Sequence, residues 1–117
     1  MPSTFRAAAV ALLMATGQAF AAGGECLLEV NGHVYIDGVC DIRLEGGGSF
    51  TILTRRYFAM VQIDTDAGSA NGYWNGDAGG SHAHSPLGTL ARQGACWVNR
   101  EAKVCAWRPG TRQAYDR

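Results

Sequence analysis

His82 and His84 are the residues of this chain best placed to do chemistry. In an extended segment, side chains two residues apart project the same way. Both imidazoles could therefore grip one Zn²⁺ or Cu²⁺, with His33 as a third ligand. Two ligands alone make a weak site, and the third must come from a distant hairpin, so a solvated histidine pair is the preferred expectation and no metal is assigned. Asp64, Asp66 and Gly68 open like a calcium loop, but Gly68 occupies the third ligand position and Asn75 stands where the closing Glu belongs. Turn-stabilising Asx chemistry explains them better. Asp77, Ser81 and His82 have the residue types of a hydrolytic triad, yet they crowd a glycine-rich loop that offers no buried partner to hold the base. There is no G-x-S-x-G sequence and no thiol that a disulfide does not claim. The chain reads as non-enzymatic and cofactor-free.

Those histidines lie in the longest irregular stretch, residues 76–88 (GDAGGSHAHSPLG), and loops of about a dozen residues in compact domains are often functional. Ser81, His82 and His84 are accordingly candidate binding residues. Tyr73, Trp74, Trp97 and Trp107 could form a stacking platform for sugar rings, although large aromatics in a small domain also serve simply as its core. With Trp97 and Trp107 on opposite faces of one hairpin, one of the two is expected to reach solvent.

The hairpin that must position these groups is residues 94–107, GACWVNREAKVCAW. If Cys96 faces Cys105, Trp97 meets Val104, Val98 meets Lys103, Asn99 meets Ala102, and Arg100-Glu101 form the loop. Opposed antiparallel residues lie about 4.5–5.5 Å apart, within the span of a disulfide. The chain has four cysteines, Cys26, Cys40, Cys96 and Cys105, so three connectivities are possible. Cys26–Cys40 with Cys96–Cys105 is favoured because each pair brackets a predicted hairpin.

Residues 1–21 have the layout of a secretory leader: Arg6 in the n-region, an apolar AAAVALLMA core and Ala19-Phe20-Ala21 as the cleavage site. The apolar run is shorter than the roughly 20 residues a bilayer requires, and no second run follows, so the mature chain is expected to be unanchored. An even cysteine count behind such a leader implies an oxidising compartment, periplasmic or extracellular. Ten basic and ten acidic side chains give zero net charge over 117 residues. That balance argues against nucleic acid, which needs a phosphate-neutralising excess. Residues 22–107 are expected to form one domain, with 108–117 as a loose tail.

Along the mature chain, Asn31-Gly32 between apolar runs predicts a two-residue hairpin placing Leu28 opposite Tyr35 and Val30 opposite His33. Asp37-Gly38 predicts a second turn. A strand over residues 39–44 follows, with Cys40, Ile42 and Leu44 inward, then one carrying Phe50 and Ile52. YFAMVQI, residues 57–63, reads as a strand buried on both faces. Residues 64–72 read as turn chemistry throughout, and residues 87–92 as a strand that pairs Ala91 with Cys96 and Leu90 with Trp97. Short strands between glycine-rich turns predict an all-β fold, a small antiparallel barrel or sandwich stapled by two disulfides.

Ser69 and Tyr73 in SANGY, with Trp97 on a later strand, resemble the Ser-Gly-x-x-Tyr motif and following tryptophan of the periplasmic and membrane-bound inhibitors of C-type lysozyme. Ala70 departs from that motif, standing where the family has glycine. The resemblance implies that Ser69 and Tyr73 lie on the surface that blocks a lysozyme cleft. The functional expectation is an exported binding protein directed at another protein, such as a lysozyme-like cell-wall hydrolase. The alternatives are a peptidoglycan-binding module using Trp74 and its aromatic neighbours, and metal binding through His82 and His84.

Overall fold

A computed structural model describes residues 22–112; the expected leader, residues 1–21, lies outside the described residues. Eight antiparallel strands run in sequence order around a closed barrel: β1 (Ala22–Val30), β2 (His33–Leu44), β3 (Phe50–Leu53), β4 (Phe58–Asp64), β5 (Ser69–Trp74), β6 (Ser85–Gln93), β7 (Cys96–Val98) and β8 (Ala102–Trp107). Closure comes from β1, which pairs with β2 on one side and β8 on the other. Of the two expected architectures, barrel or sandwich, the chain adopts the barrel.

Alternation sets what is inside. Leu28, Ile52, Val61, Leu90 and Val104 are fully buried and fill the lumen with Ile36, Phe50 and Trp97. Each large apolar side chain so buried contributes about 1.5–3 kcal/mol. Gly72 occupies an inward position on β5 because no side chain fits there: a Cβ would lie 2.7 Å from Leu90 Cδ1 and 3.1 Å from Leu87 Cβ.

Both disulfides form with the expected pairing. Cys26–Cys40 lies diagonally across β1 and β2, Cα atoms 5.9 Å apart, and belongs to the lumenal core. Cys96–Cys105 spans directly opposed residues of β7 and β8, Cα atoms 4.0 Å apart, in the hairpin register expected from sequence. It belongs to a separate apolar cluster with Trp107, backed by Leu27, Ala95 and Val98. One bond therefore braces the inside of the barrel wall and the other the outside. Together they mark a protein that folds in an oxidising compartment.

Several local expectations are overturned. Asp37-Gly38 makes no turn; β2 runs through it for 12 residues because Leu27, Cys26 and Glu25 of β1 pair with Asp37, Gly38 and Val39. Strand pairing along a long neighbour outweighs the local turn preference. The Asn31-Gly32 turn does form, with φ of 53° and 83°, and pairs Val30 with His33. A bulge then leaves Tyr35 unpaired, so Leu28 faces Ile36. Leu44, expected inward, is 73% exposed because it ends β2 at the rim of the barrel. Residues 57–63 are buried on one face only: Ala59 and Val61 point in, while Gln62 is exposed. Residues 69–72 are strand rather than turn. The β6–β7 register differs by two residues, Ala91 facing Val98 and Gln93 facing Cys96 across a tighter Gly94-Ala95 turn. A two-residue slip leaves every side chain on its face.

Of the segment expected as a tail, residues 108–112 are described. Arg112 donates to Asp37 Oδ1 at 2.7 Å, and its guanidinium lies 4.6 Å from the Trp107 ring centroid.

Candidate functional site

The β1–β2, β3–β4, β5–β6 and β7–β8 connections gather at one end of the barrel. The β5–β6 connection, residues 75–84, is the long loop of the sequence, and Asn75 lashes its base. The Asn75 side chain is 6% exposed. Its amide nitrogen donates to the carbonyls of Arg56 and Asp77, both at 2.9 Å, and of Gly80 at 3.2 Å. Its oxygen accepts from the Phe58 N–H at 3.1 Å. The Gly79 N–H adds a bond to the Arg56 carbonyl at 2.7 Å, tying this loop to the β3–β4 turn. A nominally irregular segment is thereby held at its root from two sides.

The exposed part carries Ser81, His82 and His84. Ser81 Oγ is 3.1 Å from His82 Nδ1, and the two imidazole centroids are 5.1 Å apart. The histidine pair does come together. His33 does not join it; its ring stacks on Tyr35 at 4.4 Å, and among the described residues no group of three His, Cys, Asp or Glu is arranged to hold a metal. Asp64 caps its own turn, its carboxylate accepting from the N–H groups of Asp66 and Ala67, which is the Asx chemistry expected.

Ser69 and Tyr73 share the outer face of β5, half-buried at its two ends, while Ala70 and Trp74 point inward. Tyr73 lies between Met60 of β4 and Pro86 of β6, on the strand that leads into the loop. Trp74 is only 8% exposed, so its indole offers no platform to a sugar. Trp97 and Trp107 do fall on opposite faces of their hairpin, but neither reaches solvent. Trp97 packs in the lumen, and Trp107 is covered by the outer cluster and Arg112.

What the aromatic residues build instead is a plug. Tyr35, Tyr57 and Trp74 close this end of the lumen, with ring centroids 4.5 Å (Tyr35–Trp74), 5.1 Å (Tyr35–Tyr57) and 6.1 Å (Tyr57–Trp74) apart. Beside the plug, β3 pairs with β2 only from Asp41 onward, so β2 is unpaired on that side above it. The resulting groove, about 820 Å³, is flanked by Tyr35 and Tyr57 and by the charges of Asp37, Asp41, Arg55 and Arg56.

Sequence reasoning missed Asn75, Tyr35 and Tyr57. An Asn at a strand end before glycine signals local backbone bonding. Its partners at Arg56 and Phe58 are brought near only by the β4–β5 pairing. No family model, curated protein or solved structure matches this chain.

Proposed function

We propose that this chain is an exported, non-catalytic binding protein of the periplasm or extracellular space, and that it recognises a protein partner, a lysozyme-type cell-wall hydrolase, with the barrel end that carries residues 75–84. The observation that carries the proposal is the Asn75 lashing: a loop fixed at its root loses little conformational freedom on docking, which favours insertion into a partner's cleft. The leader-like segment and the two disulfides support export. Ser69 and Tyr73, on the outer face of the strand entering the loop, are the residues the lysozyme-inhibitor resemblance singles out.

The test is lysis of a cell-wall suspension by a C-type lysozyme in the presence of the disulfide-intact chain. Stoichiometric inhibition is expected, weakened at least tenfold by the double substitution His82→Ala, His84→Ala. Undiminished lysis at micromolar chain would remove the hydrolase as partner.

A second reading, glycan binding, is favoured by the groove, where Tyr35 and Tyr57 stand with the carboxylates of Asp37 and Asp41 and the guanidinium groups of Arg55 and Arg56. Saturable quenching of tyrosine emission by muropeptides, abolished by Tyr57→Ala, would support it over the first.

A further inference from the structure

Among the described residues, nothing plugs the opposite end of the barrel. Side chains at the lower ends of the strands, Ile42, Phe50, Ile63 and Trp97 with Leu44 at the rim, line an open pocket of about 570 Å³. That volume falls within the range of small-molecule sites, and the mouth of a β-barrel is a place where such sites recur. Phe50 and Trp97, 7% and 8% exposed, form its floor, and the filled lumen lies beyond them. Leu44, 73% exposed, stands at its rim as apolar surface with nothing covering it among the described residues.

Among the described residues, two charged side chains reach this pocket, and both are cationic. Arg92 stands at an inward position at the lower end of β6, its Nε donating to the Gly94 carbonyl at 3.2 Å, and Arg108 follows the last strand. Among the described residues, no acidic side chain lines the pocket. An apolar cup with a guanidinium rim matches one chemistry: a hydrocarbon body that fills the cup and an anionic head that meets the arginines.

We propose that the open mouth of the barrel is a binding site for a single-chain amphiphile with a carboxylate head, of the fatty-acid class. The site is independent of the loop-end reading, since the filled lumen separates the two ends.

Trp97 at the floor supplies the readout. Titrating the disulfide-intact chain with laurate below its micellar concentration should give a saturable change in tryptophan emission with one equivalent bound. Dodecyltrimethylammonium, with the same tail and the opposite head, should bind at least tenfold more weakly. Arg92→Ala with Arg108→Ala should remove that preference. Leu44→Glu alters a rim residue that contributes little to the core. It should leave the melting temperature unchanged while weakening laurate at least tenfold. Absence of a saturable change, equal binding of the two amphiphiles, or an unaffected L44E variant would overturn the proposal. So would a concentration-dependent dimer that buries the mouth and excludes laurate.

Discussion

Asn75→Ala tests whether the loop of residues 75–84 is built rather than merely present. The substitution deletes the amide group whose two N–H donors are shared among the Arg56, Asp77 and Gly80 carbonyls, and it strands the Phe58 N–H, which sits partly buried at the start of β4. Net loss of each bond costs roughly 0.5–1.5 kcal/mol, and a buried group left unpaired costs about 1–3 kcal/mol. Some of the freed carbonyls regain water at the exposed side, so the total expected is about 2–4 kcal/mol. For a domain of this size each kcal/mol moves the midpoint by roughly 4–8 °C, which predicts a fall of about 8–32 °C. Thermal melting followed by circular dichroism, with both disulfides intact, gives the global value. Amide exchange gives the local one: Phe58 and Gly79 should lose protection, while the β1–β8 ladder keeps most of its own. Asn75→Asp retains the acceptor for Phe58 but turns a carboxylate toward three carbonyl oxygens, so it should be destabilised at neutral pH at least as much as the alanine variant. A melt within about 2 °C of the parent and unchanged exchange at Phe58 and Gly79 would refute the reasoning.

Other perturbations separate the remaining supports. Gly72→Ala forces a methyl against Leu90 and Leu87 and should cost about 1–3 kcal/mol in urea unfolding, most of it recovered when Leu90→Val makes room. Replacing Cys26 and Cys40 by alanine should lower stability by about 3 kcal/mol, and replacing Cys96 and Cys105 by somewhat less, because the sequence separations are 14 and 9 residues; denaturant midpoints under non-reducing conditions measure both. Arg112→Ala removes the cation over Trp107 and should cost about 0.5–1 kcal/mol with a red shift of tryptophan emission, little of it from the Asp37 pair, whose carboxylate is 56% exposed.

The sequence announces those features whose causes are local. Asn31-Gly32 adopts the left-handed pair a two-residue hairpin turn requires. The Cys96–Cys105 hairpin is legible because nine residues of separation and a two-residue loop leave few other registers. Asp37-Gly38 misleads for the opposite reason. Its turn preference is real, but β1 supplies a full ladder partner across it, and ladder bonds win. The bulge at Tyr35 is invisible for a related reason: the ring packs into the aromatic plug with Trp74 of β5 and Tyr57 just before β4, neighbours that only the folded barrel brings near. Among site residues, the exposed Ser81, His82 and His84 stand out by composition. Asn75, which holds them, resembles any turn asparagine until β4 and β5 are paired.

The two faces of β8 explain how so small a barrel can hold a stiff loop at one end and an open mouth at the other. Val104 is fully buried on the lumenal side and its neighbour Cys105 fully buried on the outer side. A strand of a simple barrel would have a wet outer face. Here Leu27, Trp107 and the Cys96–Cys105 bond cover it, and Arg112 closes over the indole. This external cluster packs against β1 and β8, the seam where the barrel closes. Stabilising the seam from outside relieves the lumen of having to supply all of the apolar burial. The lumen can then end early, at Phe50 and Trp97, and leave space below them. Weakening the outer cluster should therefore loosen the mouth before it loosens the loop end, where Asn75 and the aromatic plug act independently of the seam.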